Sequence, residues 1–215
     1  ERHAAFIARA RWEVSMLVGD KMTRNVVTVS PETTVADGLR LMNERGIHRL
    51  PVVETGRRLV GIVSDMDLRI AEAAGRLSDP VSAVMTRRVI TVDEYDTLEY
   101  AATLMREKGV GGLPVLRGER LVGIITDGDI FDVFADLMGV GKPGVRLTLA
   151  LPAEQGTIVE LLQTVHRQGG AIVALGTVKL DTRHLMVLKV GNLTPEQAQQ
   201  AVSLAGVELV DMLAE

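Results

Sequence analysis

The chain contains no cysteine, which removes disulfide frameworks, thiolate metal sites and a cysteine nucleophile from consideration. Aromatic residues make up only 3% of the 215, too few for the stacking platforms that hold single-stranded nucleic acid. The formal net charge of −4 supplies no basic field toward nucleic acid either. No apolar run approaches the ~20 residues that span a bilayer, so no membrane partner is expected. The four histidines, His3, His48, His166 and His184, lack metal-ligand spacing. No nucleophile elbow surrounds Ser64, so Ser64, Asp65 and His48 do not read as a triad. With no nucleophile, metal set or paired acid and base, the chain does not read as an enzyme. A reducing cytoplasm fits the absence of thiols. What is present, 47% hydrophobic and 24% charged residues, is ordinary globular composition with room for one or two cores.

The strongest positive feature is an internal repeat. The segment "VGDKMTRNVVTV…LPVV…LVGIVSDMDL" from Val18 returns as "VSAVMTRRVITV…LPVL…LVGIITDGDI" from Val81. With a one-residue gap near Thr55, 23 of 50 aligned positions are identical, enough to mean one supersecondary unit used twice and packed on itself. Each unit reads as β-α-β-β-α. The runs "VVTV" (26–29) and "VITV" (89–92) are β-branched and predict strands. Val35, Leu39 and Met42 recur at helical spacing, as do Leu98, Ala102 and Met105. Gly46 and Gly109 supply the residue type that tolerates a left-handed cap. Strand pairs then turn around Glu54–Arg57 and Arg117–Glu119, with helices at 65–74 and 127–138. Met22, Met42, Met85 and Met105 fall at repeat-equivalent positions and read as core filler.

The Gly/Pro-rich segment 139–144 marks a linker. Beyond it the pattern is βαββαβ, with a turn near Asp181–Thr182 and a final helix opened by Thr194 and Pro195. This is a ferredoxin-like order. The expected organisation is an N-terminal extension at 1–16, repeats at 17–75 and 76–138, a linker at 139–144 and a βαββαβ domain at 145–215. Met16 reads like a natural start. The Arg-rich segment before it is either upstream of that start or a native amphipathic helix packed on the repeats.

Both repeats end in Ser/Thr-x-x-Asp, as Ser64–Asp67 and Thr126–Asp129. One reading is a capping box, hydroxyl at the N-cap and Asp at the third helical position. The other is ligand contact, since a carboxylate accepts strong hydrogen bonds from vicinal hydroxyls and a helix start offers free N–H groups to phosphate. Both can hold together. Before the "LPV" strand, repeat 1 has His48-Arg49 and repeat 2 has Gly111-Gly112. Arg offers a planar fork for phosphate oxygens and His a pH-dependent donor. The alternative is a solvated basic pair on a sheet edge. The glycine pair leaves room but brings no charge, so the two clefts are expected to differ. Arg87-Arg88 could meet phosphate or face water, and is read as facing water.

These motifs, "MTR.V.TV", "LMxExG", "LPVV/LPVL" and "LVGIVSDMDL/LVGIITDGDI", resemble tandem CBS domains, the Bateman module, over residues 18–138. The tail resembles an ACT domain through its element order and Gly156. The whole is similar to the acetoin-utilisation protein B group. The resemblance implies an α+β fold in which two CBS repeats pack about a pseudo-two-fold axis beside an ACT-like domain. It also implies an adenosyl ligand in the cleft: AMP, ADP, ATP or S-adenosylmethionine. Asp67 and Asp129 would meet ribose, with Ser64 and Thr126 beside them. His48-Arg49 would face phosphate, and Val27 and Ile90 join the ligand-binding set. The expected role is regulatory, in a homodimer, with an enzyme as a regulated partner. The alternative is a dimerisation module with an empty cleft and amino-acid sensing by the ACT-like domain.

Overall fold

The computed structural model describes residues 16–151, 157–181 and 183–214. The N-terminal extension before Met16, Gly156 and Thr182 lie outside the described residues. Contacts divide the chain after Ile130 into two compact units.

In the first unit, repeat 1 contains α1 (Val18–Lys21), α2 (Val35–Arg45), β1 (Arg49–Glu54), β2 (Arg58–Ser64) and α3 (Asp65–Ala73). Repeat 2 contains a 3-10 turn (Val81–Ala83), β3 (Val92–Asp93), α4 (Leu98–Lys108), β4 (Gly112–Arg117), β5 (Arg120–Thr126) and the start of α5 (Asp127–Leu137). The sequence placed no helix at α1, but α2 and α4 carry the expected stripes and end at the expected glycines. The Thr34 side chain accepts from the Asp37 N–H and Thr97 from the Tyr100 N–H, filling orphan donors of the first turn. Gly46 (φ 61°) and Gly109 (φ 64°) close α2 and α4 in the left-handed region.

The strand order is β1-β2-β5-β4-β3. The hairpins β1–β2 and β4–β5 are antiparallel with matching registers, Arg49 opposite Ser64 and Gly112 opposite Thr126. They meet at one pair of residues, Arg58 and Arg120. The hairpin of repeat 1 carries α2 and α3 and that of repeat 2 carries α4, while α1 packs on β3 and β5 of repeat 2.

The segments leading into each repeat depart from expectation. "VVTV" forms no strand; only Val29 bridges, parallel, to Val52. "VITV" contributes β3 alone, parallel to β4. The reason is an exchange between repeats. Thr23 bridges Ile124 of repeat 2, and Thr86 bridges Ile62 of repeat 1. Six residues later each segment has returned to the hairpin of its own repeat. A chain crossing between the two hairpins cannot lie in register along either. The same exchange occurs earlier, with Leu17 bridging Thr97 and Thr34 bridging Pro80. Val81 accordingly sits fully buried among Val35, Leu39, Leu50 and Leu68 of repeat 1. Burying one such side chain contributes roughly 1.5–3 kcal/mol, so the exchange ties the repeats into one core.

The second unit runs from Phe131 and holds β6 (Val145–Ala150), α6 (Thr157–Arg167), β7 (Ala171–Leu180), β8 (Arg183–Gly191), α7 (Pro195–Leu204) and β9 (Glu208–Ala214). Its sheet is antiparallel throughout, in the order β7-β8-β6-β9. That is the βαββαβ arrangement expected from the sequence. Alternate residues Leu147, Leu149, Met186 and Leu188 meet Leu161 and Val165 of α6 and Ala198, Ala201 and Val202 of α7. Lys189, on the same sheet, is 1% exposed, and its Nζ donates to the Gly139 carbonyl at 3.0 Å.

Candidate functional site: two related cavities between the repeats

The exchanged segments leave two cavities inside the first unit. One, about 400 Å³, is lined by Ser64, Asp67, Thr86, Arg88, Ile90 and the Gly109–Gly112 turn, with Arg49 reaching in. The other, about 320 Å³, is lined by Thr23, Asn25, Val27, His48, Arg49 and Thr126, with Asp127 and Gly128 at its helix start. The linings correspond residue by residue through the repeat: Thr86 with Thr23, Arg88 with Asn25, Ile90 with Val27, Ser64 with Thr126. Each cavity therefore joins the leading segment of one repeat to the helix start of the other. Sequence periodicity cannot see this pairing.

Both helix starts form the reciprocal cap. The Ser64 N–H and Oγ donate to Asp67 Oδ2 at 2.8 and 2.6 Å, and the Asp67 N–H donates back to Ser64 Oγ at 3.2 Å. The Thr126 N–H and Oγ1 donate to Asp129 Oδ2 at 2.7 and 2.8 Å, while the Asp129 N–H returns to Thr126 Oγ1 at 3.5 Å. In both boxes one carboxylate oxygen takes the whole cap. No described hydrogen bond uses Oδ1, so an acceptor remains on each. Asp67 lines its cavity; Asp129 is half-buried behind Thr126 and is not among the lining residues of the second.

The glycine pair makes room for a side chain of the protein itself. A Cβ on Gly111 would fall 2.3 Å from Arg49 Nη2 and 2.6 Å from Asp127 Oδ2; one on Gly112 would fall 3.2 Å from Arg49 Cδ. Arg49 thus lies across both glycines. The side of the site without a His-Arg pair of its own receives the charge of Arg49 from repeat 1, and of Arg88. Arg88 is exposed, as its reading as facing water implies, and it also lines the larger cavity. Its signal in the sequence was its position two residues after Thr86, matching Asn25. His48 is exposed and sits only in the smaller cavity.

Among the described residues no group of three or more His, Asp or Glu could hold a metal ion. No helix among them is long and apolar enough to cross a membrane.

Comparison with known proteins follows the same division. The CBS domain family matches residues 18–74 and 81–136, more than half the chain, and the chain belongs to that family. It is similar to a Vibrio cholerae protein assigned to acetoin utilization (AcuB), at 33% identity and TM-score 0.55 over 58% of this chain and 94% of that one. It is similar to CBSX2, solved in complex with AMP, at 32% identity and TM-score 0.52 over 56% and 96%. It also resembles the CBS domain pair of MJ0100, solved with 5′-methylthioadenosine and S-adenosyl-L-methionine, at 29% identity and TM-score 0.52 over 55% and 95%. A longer relative is the inosine-5′-monophosphate dehydrogenase of Korarchaeum cryptofilum, 41% identical over 109 residues; the chain spans 22% of it. The matches thus include both CBS proteins of about the length of the repeat pair and a longer enzyme.

Proposed function

We propose that this chain is a regulatory sensor whose paired CBS repeats bind an adenosyl ligand, such as AMP, ADP, ATP or S-adenosylmethionine. One observation carries the reading: the larger cavity is lined by Ser64 and by Asp67, whose carboxylate keeps an acceptor oxygen outside the cap, and the smaller by Thr126 of the matching helix start. A ribose diol matches that acceptor, and the adenosyl ligands of CBSX2 and the MJ0100 pair support the choice. Val27 and Ile90 offer the apolar walls for a base; His48, Arg49 and Arg88 offer the cations for phosphate.

The second unit acts as an ACT-like output domain; its βαββαβ order and its strand order support this. Ligand binding reaches it, or a partner enzyme, through whichever conformation binds the ligand more tightly. The protein works as a homodimer. Met66 and Ile70 on α3 of the first unit are 67% and 62% exposed, and, in the second unit, Phe131 and Phe134 are 69% and 60% exposed; each apolar pair supports association.

The test is a thermal-shift and calorimetric panel of adenosine, AMP, ADP, ATP and S-adenosylmethionine, since a ligand that binds only the folded state raises its midpoint. Asp67→Asn keeps an oxygen for the cap but loses the charge. It is expected to weaken binding by about 1.5–3 kcal/mol, the scale of a charge-assisted hydrogen bond. Absence of any shift at millimolar ligand overturns the sensor reading and leaves a dimerisation module.

A further inference from the structure

Arg49 is the one residue that, among those described, lines both cavities. Its stem and guanidinium lie over Gly112 and Gly111, beside Asp127 at the helix start of the smaller cavity. Neither glycine has a backbone angle in the left-handed region. Their lack of a side chain therefore serves space, and the space holds Arg49. The repeat supplies no second copy, because the position equivalent to Arg49 is Gly112 itself.

We infer that the two cavities share a single phosphate-binding guanidinium, so that only one of them holds a phosphorylated ligand tightly at a time. This inference rests on the adenosyl reading above. The larger cavity takes the phosphorylated ligand, because Arg88 adds a second guanidinium there while its counterpart in the smaller cavity is the neutral Asn25. Two planar forks suit an oligophosphate in a way that one does not. Once Arg49 is drawn to that side, the smaller cavity keeps His48, Asn25 and the Thr126 helix start. That set suits an adenosyl ligand with no phosphate. The pair of sites is then selective by composition, one charged nucleotide with one uncharged nucleoside-like ligand. The two ligands are coupled through the position of one side chain.

The experiment is calorimetric titration of the full chain with ADP and, separately, with adenosine. The expected result with ADP is one tight site and a second about ten-fold weaker or more, the scale of one charge-assisted hydrogen bond. Adenosine is expected to fill both sites with affinities within about three-fold of each other. Arg49→Ala removes the shared group and should weaken ADP at the larger cavity, narrowing the asymmetry to what Arg88 alone supplies, with adenosine little changed. Gly111→Ala is the second variant. Its Cβ would occupy the place of the guanidinium, and it should reduce the ADP asymmetry in the same way without removing a charge. Two equal ADP sites in the unaltered protein, or an asymmetry undiminished in both variants, overturns the inference while leaving the adenosyl reading intact. Failure of both ADP and adenosine to bind overturns the adenosyl reading itself, and this inference with it.

Discussion

Substituting Gly123 by Ala tests whether the exchanged segments hold the repeats together. A Cβ at Gly123 would lie 2.2 Å from Met22 Sδ and 2.8 Å from its Cγ. Non-bonded heavy atoms attract at about 3.5–4.0 Å, so more than 1 Å of overlap must be relieved. The backbone beside Met22 cannot easily give. The Thr23 N–H donates to the Ile124 carbonyl at 2.9 Å, and the Ile124 N–H donates back at 3.0 Å. Met22 itself is only 6% exposed, so its torsions must turn within a packed site. The expected loss is about 1–3 kcal/mol, the range for overpacking a filled core. Gly61→Ala repeats the experiment in the symmetry-related place, where the Cβ would meet Met85 Sδ at 2.3 Å. Met85 is half-buried and can turn outward, so its cost should fall near the lower end, about 1 kcal/mol. Urea unfolding followed by circular dichroism supplies both values. The decisive comparison is a double-mutant cycle with Met22→Ala. Alone, Met22→Ala should cost about 2–5 kcal/mol by opening a cavity. In that background the extra methyl meets no sulfur and part of the void is refilled, so the cost of Gly123→Ala should vanish or reverse. An equal cost of Gly123→Ala in both backgrounds would refute the contact between the leading segment of repeat 1 and the sheet of repeat 2.

Two further outcomes follow from particular contacts. Glu94 is 5% exposed and is gripped by Arg117, whose Nη2 donates to Oε2 at 2.8 Å and whose Nε donates to Oε1. That hydrogen bonding, followed by the charges of Arg117 and Arg24, holds the Glu94 carboxyl below its ordinary value despite burial. Its contribution to stability is therefore complete above the unfolded pKa near 4.5 and is lost as pH falls through the lower folded value. Glu94→Gln should destabilise by about 1–3 kcal/mol at pH 7 and progressively less below pH 4 in thermal melts, and a constant difference at all pH values would refute it. Gly144 has φ 156°, and a Cβ there would sit 2.5 Å from the Val190 carbonyl oxygen on β8. Gly144→Ala should cost about 1–3 kcal/mol in the second unit, seen as an earlier melting step with adenosyl binding retained; a wild-type melting profile would refute it.

The sequence alone determined whatever depends on neighbours along the chain. The helices open at Thr34 and Thr97 and close at Gly46 and Gly109 because caps act within one turn. The Ser64–Asp67 box was legible for the same reason, since its partners stand three residues apart. The strand order of the second unit follows from a βαββαβ pattern with few ways to pack. The repeat itself announced the pseudo-symmetry and the family. Packing decided the rest. The runs "VVTV" and "VITV" have strand composition, yet their flanks are claimed by two different hairpins, and β-propensity yields to that demand. Arg88 looked solvated because nothing near it in sequence marks a cavity; its wall comes from Ile62 and Ser64, more than twenty residues away. Glu94 and Arg117 are 23 residues apart and meet only through β3 and β4. Arg49 and Gly111 lie in different repeats, so neither local pattern could place a guanidinium over a glycine. Local sequence determines elements because capping and turn formation act over one to four residues. The cavities depend on contacts between repeats, and those exist only once the two copies have exchanged their leading segments.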